Sequence, residues 1–114
     1  MSFRYAIEGI ISAIKGEAHL RFHIVIANLI AVFAYVYEIS KVEWAILTVS
    51  IFAVISAELF NTAIERAVDT ATAEIKPTAK LAKDASAGAV LVFACASVII
   101  GILIFIPKWI NLWD

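Results

Sequence analysis

Apolar side chains recur at Phe3, Ile7, Ile10 and Ile14, with Ala6 and Ile11 widening the stripe, while Arg4, Glu8, Ser12 and Lys15 hold the opposite face. Spacings of i, i+4, i+7 and i+11 mark one face of an α-helix, so residues 2–19 read as an amphipathic helix. Such a helix lies in the bilayer surface rather than across it. Beyond it the periodic pattern gives way to continuous apolar runs. From about residue 20 to 37 only His23 and Asn28 are strongly polar in the interior, which predicts a first membrane span. Residues 40–43 read as a short polar turn. Trp44 opens a second span, free of charge to Ala57, whose helical pattern continues through Glu58, Asn61, Glu65 and Asp69 to about Ala73. Pro77 is expected to break the run in a connection near residues 74–79. A third span is expected over residues 85–106, bounded by Asp84 and by Pro107-Lys108; at ~1.5 Å per residue it extends about 33 Å, enough for a bilayer core. The small residues at 85–89 suit close helix packing. The expected fold is an all-α membrane protein, an amphipathic surface helix followed by three transmembrane helices.

Composition agrees. The 114 residues make one domain, 1–114, and 63% of them are hydrophobic, with a mean hydropathy of +0.95. Soluble domains hold about 45–50% apolar residues, and lipid is the solvent that accommodates the excess. Arg4, Glu8, Lys15 and Glu17 interrupt any apolar stretch that a cleavable signal peptide would need. Cys95 is the only cysteine, within an apolar run, and reads as a packed thiol. The net charge of −1 is uninformative, but its distribution is not. Arg4, Lys15 and Arg21 precede the first span, and Arg66, Lys76, Lys80 and Lys83 lie between the second and third; only Lys41 and Lys108 fall on the other side. The excess of positive charge puts the N-terminus and the second connection in the cytoplasm and the C-terminus outside. Tyr35, Tyr37, Trp44, Trp109 and Trp113 then mark the outer interface.

Glu58, Asn61, Glu65 and Asp69 share one helical face. A charge at bilayer depth costs about 2.5–3.5 kcal/mol, so the stripe must face protein, water or a ligand; the plainer alternative is a solvated juxtamembrane face with structural ion pairs. Glu17, Arg21 and Asn28 form a second stripe, in which Arg21 and Glu17 can also be a simple i, i+4 pair. Lys80, Lys83 and Asp84 open the third span, where Lys80 reads first as an interfacial anchor. All three clusters reach the same side of the membrane, where a soluble reactant meets a lipid headgroup. Carboxylates from separate helices suit a hard divalent cation, and a nearby lysine suits phosphate. There is no GxxxxGK[ST] loop, no zinc-type cysteine spacing and no Ser-His-Asp arrangement; His19 and His23 lack a second ligand pair. A non-enzymatic scaffold and a cation pathway compete with an enzyme. The stripe is more polar than helix association needs, and residues 44–57 offer a pathway no ionisable relay.

ELFNTAIERAVD at 58–69 resembles the signature of the bacterial diacylglycerol kinase and undecaprenol kinase family of small membrane lipid kinases. AKDASAGAV at 82–90 resembles its second motif, and FRYAIEG at 3–9 and EAHLRFH at 17–23 are similar to its N-terminal helix and the start of its first span. LRFH, AGAV and IFIPK look more like the Gram-positive undecaprenol kinase branch. The resemblance implies a homotrimer in the bacterial cell membrane, ATP with Mg²⁺, and transfer of the γ-phosphoryl group to a lipid hydroxyl, with no nucleic acid as partner. It implies Glu58 as general base, acting on the bound lipid, and Glu17 and Glu65 as metal ligands beside ATP. Tyr5, Glu74, Lys83 and Asp84 match positions around the nucleotide, Asn61 and Asp69 match essential polar positions, and Arg21 lies in the segment lining the lipid. An arginine that some members carry farther upstream has no counterpart, and Ala87 stands where the diacylglycerol branch has a serine. The second departure favours undecaprenol over diacylglycerol.

Overall fold

The computed structural model describes residues 2–111, which form four helices: α1 (Phe3–Gly16), α2 (Ala18–Val36), α3 (Lys41–Ala71) and α4 (Pro77–Asn111). Trp113 lies outside the described residues. α1 starts at Ser2, whose hydroxyl accepts from the Arg4 amide at 3.2 Å, and an Arg4–Glu8 ion pair of 2.9 Å ties its first turns. It ends earlier than its pattern suggests. Glu17 is extended (φ −125°, ψ 111°) and separates α1 from α2. Glu17 therefore does not share a helical face with Arg21 and Asn28, and it does not pair with Arg21. The Arg21 guanidinium instead donates to the carbonyls of Ile14 (2.7 Å) and Lys15 (2.9 Å), satisfying acceptors that the helix end leaves open. Asn28 turns back onto the Ile24 carbonyl at 2.8 Å.

The hairpin between α2 and α3 is shorter than expected. Ile39 N–H reaches back to the Ala34 carbonyl at 3.3 Å, with Glu38 left-handed at φ 50°, the reversal that commonly ends a helix. Ser40 then caps α3: its hydroxyl accepts from the Glu43 amide while the Glu43 carboxylate accepts from the Ser40 amide. This reciprocal cap draws residues 41–43, expected as a turn, into the first helical turn. At the other connection Pro77 begins α4 rather than interrupting it. Its fixed φ and missing N–H suit the first helical position, so the link shrinks to residues 72–76. Pro107, expected as a boundary, lies inside α4; it removes one backbone hydrogen bond near the helix end.

α2, α3 and α4 are each long and apolar enough to cross a membrane. α3 and α4 pack most extensively. At the end carrying the α2–α3 hairpin, Ala34, Ile39, Leu47, Ile104 and Phe105 form a buried cluster. Tyr37, Phe105 and Trp109 meet with ring centroids 6.2–6.4 Å apart, and Lys108 pairs with Glu43 at 3.1 Å. Midway, the Ser50 and Ser97 hydroxyls share a 2.7 Å hydrogen bond. Side chains such as Leu29, Val32, Phe52, Leu91, Val92 and Leu103 face outward, as lipid contact requires. The small-residue run does not bring a helix onto Gly88, where an added Cβ would meet nothing within 4 Å.

Candidate active site at the polar end of the helices

At the opposite end, the polar face of α3 is met by different neighbours at successive depths. Over the eleven steps from Glu58 to Asp69 the helix rises ~16 Å. Deepest is Glu58, only 6% exposed, so its carboxylate depends on a protein partner. His23 of α2 supplies it, Nε2 to Oε1 at 3.2 Å. Next, Asn61 accepts from the Ser86 hydroxyl of α4 at 2.6 Å and donates to Glu65 at 3.4 Å. Asp69 pairs with Lys83 of α4 at 2.5 Å, and Lys83 also lies within electrostatic reach of Glu65. Lys80 pairs with Asp84 one turn along α4. Among the described residues no buried side-chain nitrogen or oxygen lacks a hydrogen-bond partner.

Three hollows adjoin this ladder. An apolar groove of about 350 Å³ runs between α2, α3 and α4; His23 is at its polar end, with Ile26, Ile30, Val54 and Val98 among its walls. A cleft of about 260 Å³ is lined by Asp69, Glu74, Lys76, Lys80 and Lys83. A third hollow, of about 570 Å³, lies between α1 and α3 and is lined by Glu8, Ser12, Lys15, Gly16 and Arg66.

Asp69, Glu74 and Lys83 thus meet in one cleft, and Glu58, Asn61 and Glu65 continue from it along α3. Tyr5 is exposed on α1 and lines neither polar hollow, and Asp84 is engaged with Lys80 beside the cleft. Sequence reasoning missed the partners: His23 set aside as a metal ligand, Ser86 read as packing, Arg66 counted only as charge. The one available signal was a histidine in an otherwise apolar run, six residues after Glu17.

The donor set suits a hard cation. Glu65 commits one carboxylate oxygen to a long hydrogen bond, and the Glu17 side chain makes no capping hydrogen bond at the junction. Among the described residues no three acidic, histidine or cysteine side chains converge. Oxygen donors of this kind suit Mg²⁺, which takes one or two carboxylates and completes its shell from phosphate oxygens and water.

The sequence model for prokaryotic diacylglycerol kinase matches residues 4–105. An undecaprenol kinase of Bacillus subtilis (strain 168) is 46% identical over 107 residues, covering 94% of this chain and 87% of that protein. A diacylglycerol kinase of Synechocystis is 34% identical over 113 residues, covering 98% of this chain but 65% of that protein. One from Haemophilus influenzae is 29% identical over 106 residues, covering 91% and 90%. A buried carboxylate beside an apolar groove, a cation-lined cleft at the helix ends and this similarity along nearly the whole chain agree: the protein belongs to the prokaryotic diacylglycerol kinase family.

Proposed function

We propose that this multi-pass membrane protein is a lipid kinase that transfers the γ-phosphoryl group of ATP to a lipid alcohol, undecaprenol in preference to diacylglycerol. The observation that carries the reading is the junction at His23, which both lines the apolar groove and holds the Glu58 carboxylate. A long apolar chain in the groove brings its terminal hydroxyl to that pair; Glu58 accepts the hydroxyl proton as the oxygen bonds to the γ-phosphorus, and the bond from that phosphorus to the bridging oxygen breaks to release ADP. Little else is asked of the protein in covalent terms, since phosphoryl transfer depends on positioning and charge neutralisation. Lys83, with Asp69 and Glu74 beside it, offers a phosphate-binding cation in the polar cleft, and Asp84 orients Lys80 at its edge. Glu17 and Glu65 would hold Mg²⁺, which would supply charge neutralisation at the phosphates. Asn61, fixed by Ser86, orients Glu65. Tyr5 and Arg21 lie on the surface helix and at the start of α2, at the level of nucleotide and headgroup.

The groove suits undecaprenol, which offers one primary alcohol and no ester carbonyls to recognise. The undecaprenol kinase similarity points the same way. The surface position of α1, the homotrimer and the cytoplasmic placement of the polar end belong to the same proposal; they draw support from the exposed apolar side chains of α1, the open clefts and the distribution of lysine and arginine. Purified protein in matched mixed micelles should phosphorylate undecaprenol with higher kcat/KM than diacylglycerol, and Glu58→Gln should disable both reactions. A clear preference for diacylglycerol overturns the substrate, and activity persisting in Glu58→Gln overturns the base.

A further inference from the structure

Arg66 follows Glu65 on α3, yet its guanidinium leaves that helix and crosses to α1. Nη1 donates to the Ser12 hydroxyl at 3.1 Å and Nη2 to the Ser12 carbonyl at 3.3 Å. The same Nη2 lies where a side chain on Gly16 would be: a Cβ there would meet it at 2.9 Å. Arg21 grips the same last turn from α2 through the carbonyls of Ile14 and Lys15. Two arginines from two helices thus fix the end of α1 at the point where the chain breaks into extended Glu17. Glu17 follows Gly16, and Glu65 precedes Arg66, so the contact ties together the two backbone segments that bear the proposed metal carboxylates.

We propose that Arg66 is a positioning residue that docks the end of α1 on α3 and so sets Glu17 against Glu65, its guanidinium lying close over Gly16. The inference rests on the metal role given above to Glu17 and Glu65. The planar fork matters, because two parallel donors meet a hydroxyl and a carbonyl of one residue. A lysine offers a single point charge and holds one of them at most.

The test measures metal and structure apart from turnover. Mn²⁺ in place of Mg²⁺, with a non-hydrolysable ATP analogue, is titrated into the purified protein and free Mn²⁺ is read by electron paramagnetic resonance. Arg66→Ala should weaken Mn²⁺–nucleotide binding about tenfold, raise KM for MgATP similarly and leave KM for lipid unchanged; Arg66→Lys should recover part of the loss, and Gly16→Ala, which the flexible guanidinium can accommodate by shifting, should weaken binding less than Arg66→Ala. Amides 13–17 should exchange faster with deuterium in Arg66→Ala. The double variant should be no worse than Arg66→Ala alone, because the glycine matters only through the arginine. Ser12→Ala, a milder change that keeps the carbonyl, should weaken binding about threefold and serves if Arg66→Ala does not fold. Wild-type Mn²⁺ affinity in Arg66→Ala, or in both Gly16→Ala and Ser12→Ala, overturns the proposal, as does additivity in the double variant. Glu65→Gln separates the two layers: it should abolish Mn²⁺ binding while amide exchange at 13–17 stays slow. Retained binding there overturns the metal reading itself.

Discussion

A single pair, His23 with Glu58, joins the apolar groove to the polar face of α3. A carboxylate in apolar surroundings is costly unless a hydrogen bond compensates it, and among the described residues His23 is its partner. Hydrogen bonds to charged groups contribute about 1.5–3 kcal/mol, and a tenfold change in rate corresponds to about 1.4 kcal/mol. If the pair orients the base, His23→Ala should lower kcat about ten- to a hundredfold with little change in KM for MgATP. His23→Gln, which keeps a donor at similar reach, should lose less. Steady-state kinetics in mixed micelles checks this; wild-type kcat in His23→Ala would remove the pair from the chemistry. Ser86 has the same standing toward Asn61, and its small size hides it in a run of alanine and glycine.

Among the elements, the helix ends govern where side chains arrive. The Ser40–Glu43 cap and the left-handed Glu38 make the α2–α3 hairpin tight enough to bring Tyr37 onto Phe105 and Trp109. A non-glycine residue in the left-handed region costs about 1–2 kcal/mol, partly offset by the greater entropy that glycine has when unfolded. Glu38→Gly should therefore stabilise the protein by roughly 0.5–1 kcal/mol, seen as a later midpoint of reversible unfolding in mixed detergent micelles. A destabilised variant would mean that the Glu38 side chain contributes more than its backbone strain costs. Pro77 acts in the same way at the other end: by starting α4 it shortens the link and brings Lys83 within reach of Asp69.

The molecule as a whole is polarised along its long dimension of 60 Å. Aromatic rings and the Lys108–Glu43 pair close one end, and the candidate site occupies the other. If the site end faces ATP, Thr78, exposed in the first turn of α4, lies in the cytoplasm. Thr78→Cys in a background lacking Cys95 should react with an impermeant maleimide only after the membrane is opened. Ready labelling in intact cells would reverse the orientation and deprive the cleft of its nucleotide.

Membrane insertion acts on local sequence, so the three apolar helices, the polar stripe on α3 and the family are all legible along the chain. Hydrocarbon demands long uninterrupted stretches and makes each misplaced charge expensive, and both leave marks within twenty residues of one another. Glu58, Asn61, Glu65 and Asp69 were legible for that reason, and the motif over 58–69 identified the chemistry they resemble. Which neighbour each one meets was decided only by tertiary structure. His23 on Glu58, Ser86 on Asn61 and Arg66 on Ser12 join residues 25–54 positions apart, and no periodicity within one helix encodes a contact with another. The break at Glu17 belongs to the same class. Its surroundings read as continuous helix, whereas in the fold Arg21 of α2 takes the carbonyls that the end of α1 leaves open and Arg66 of α3 holds Ser12 one turn earlier.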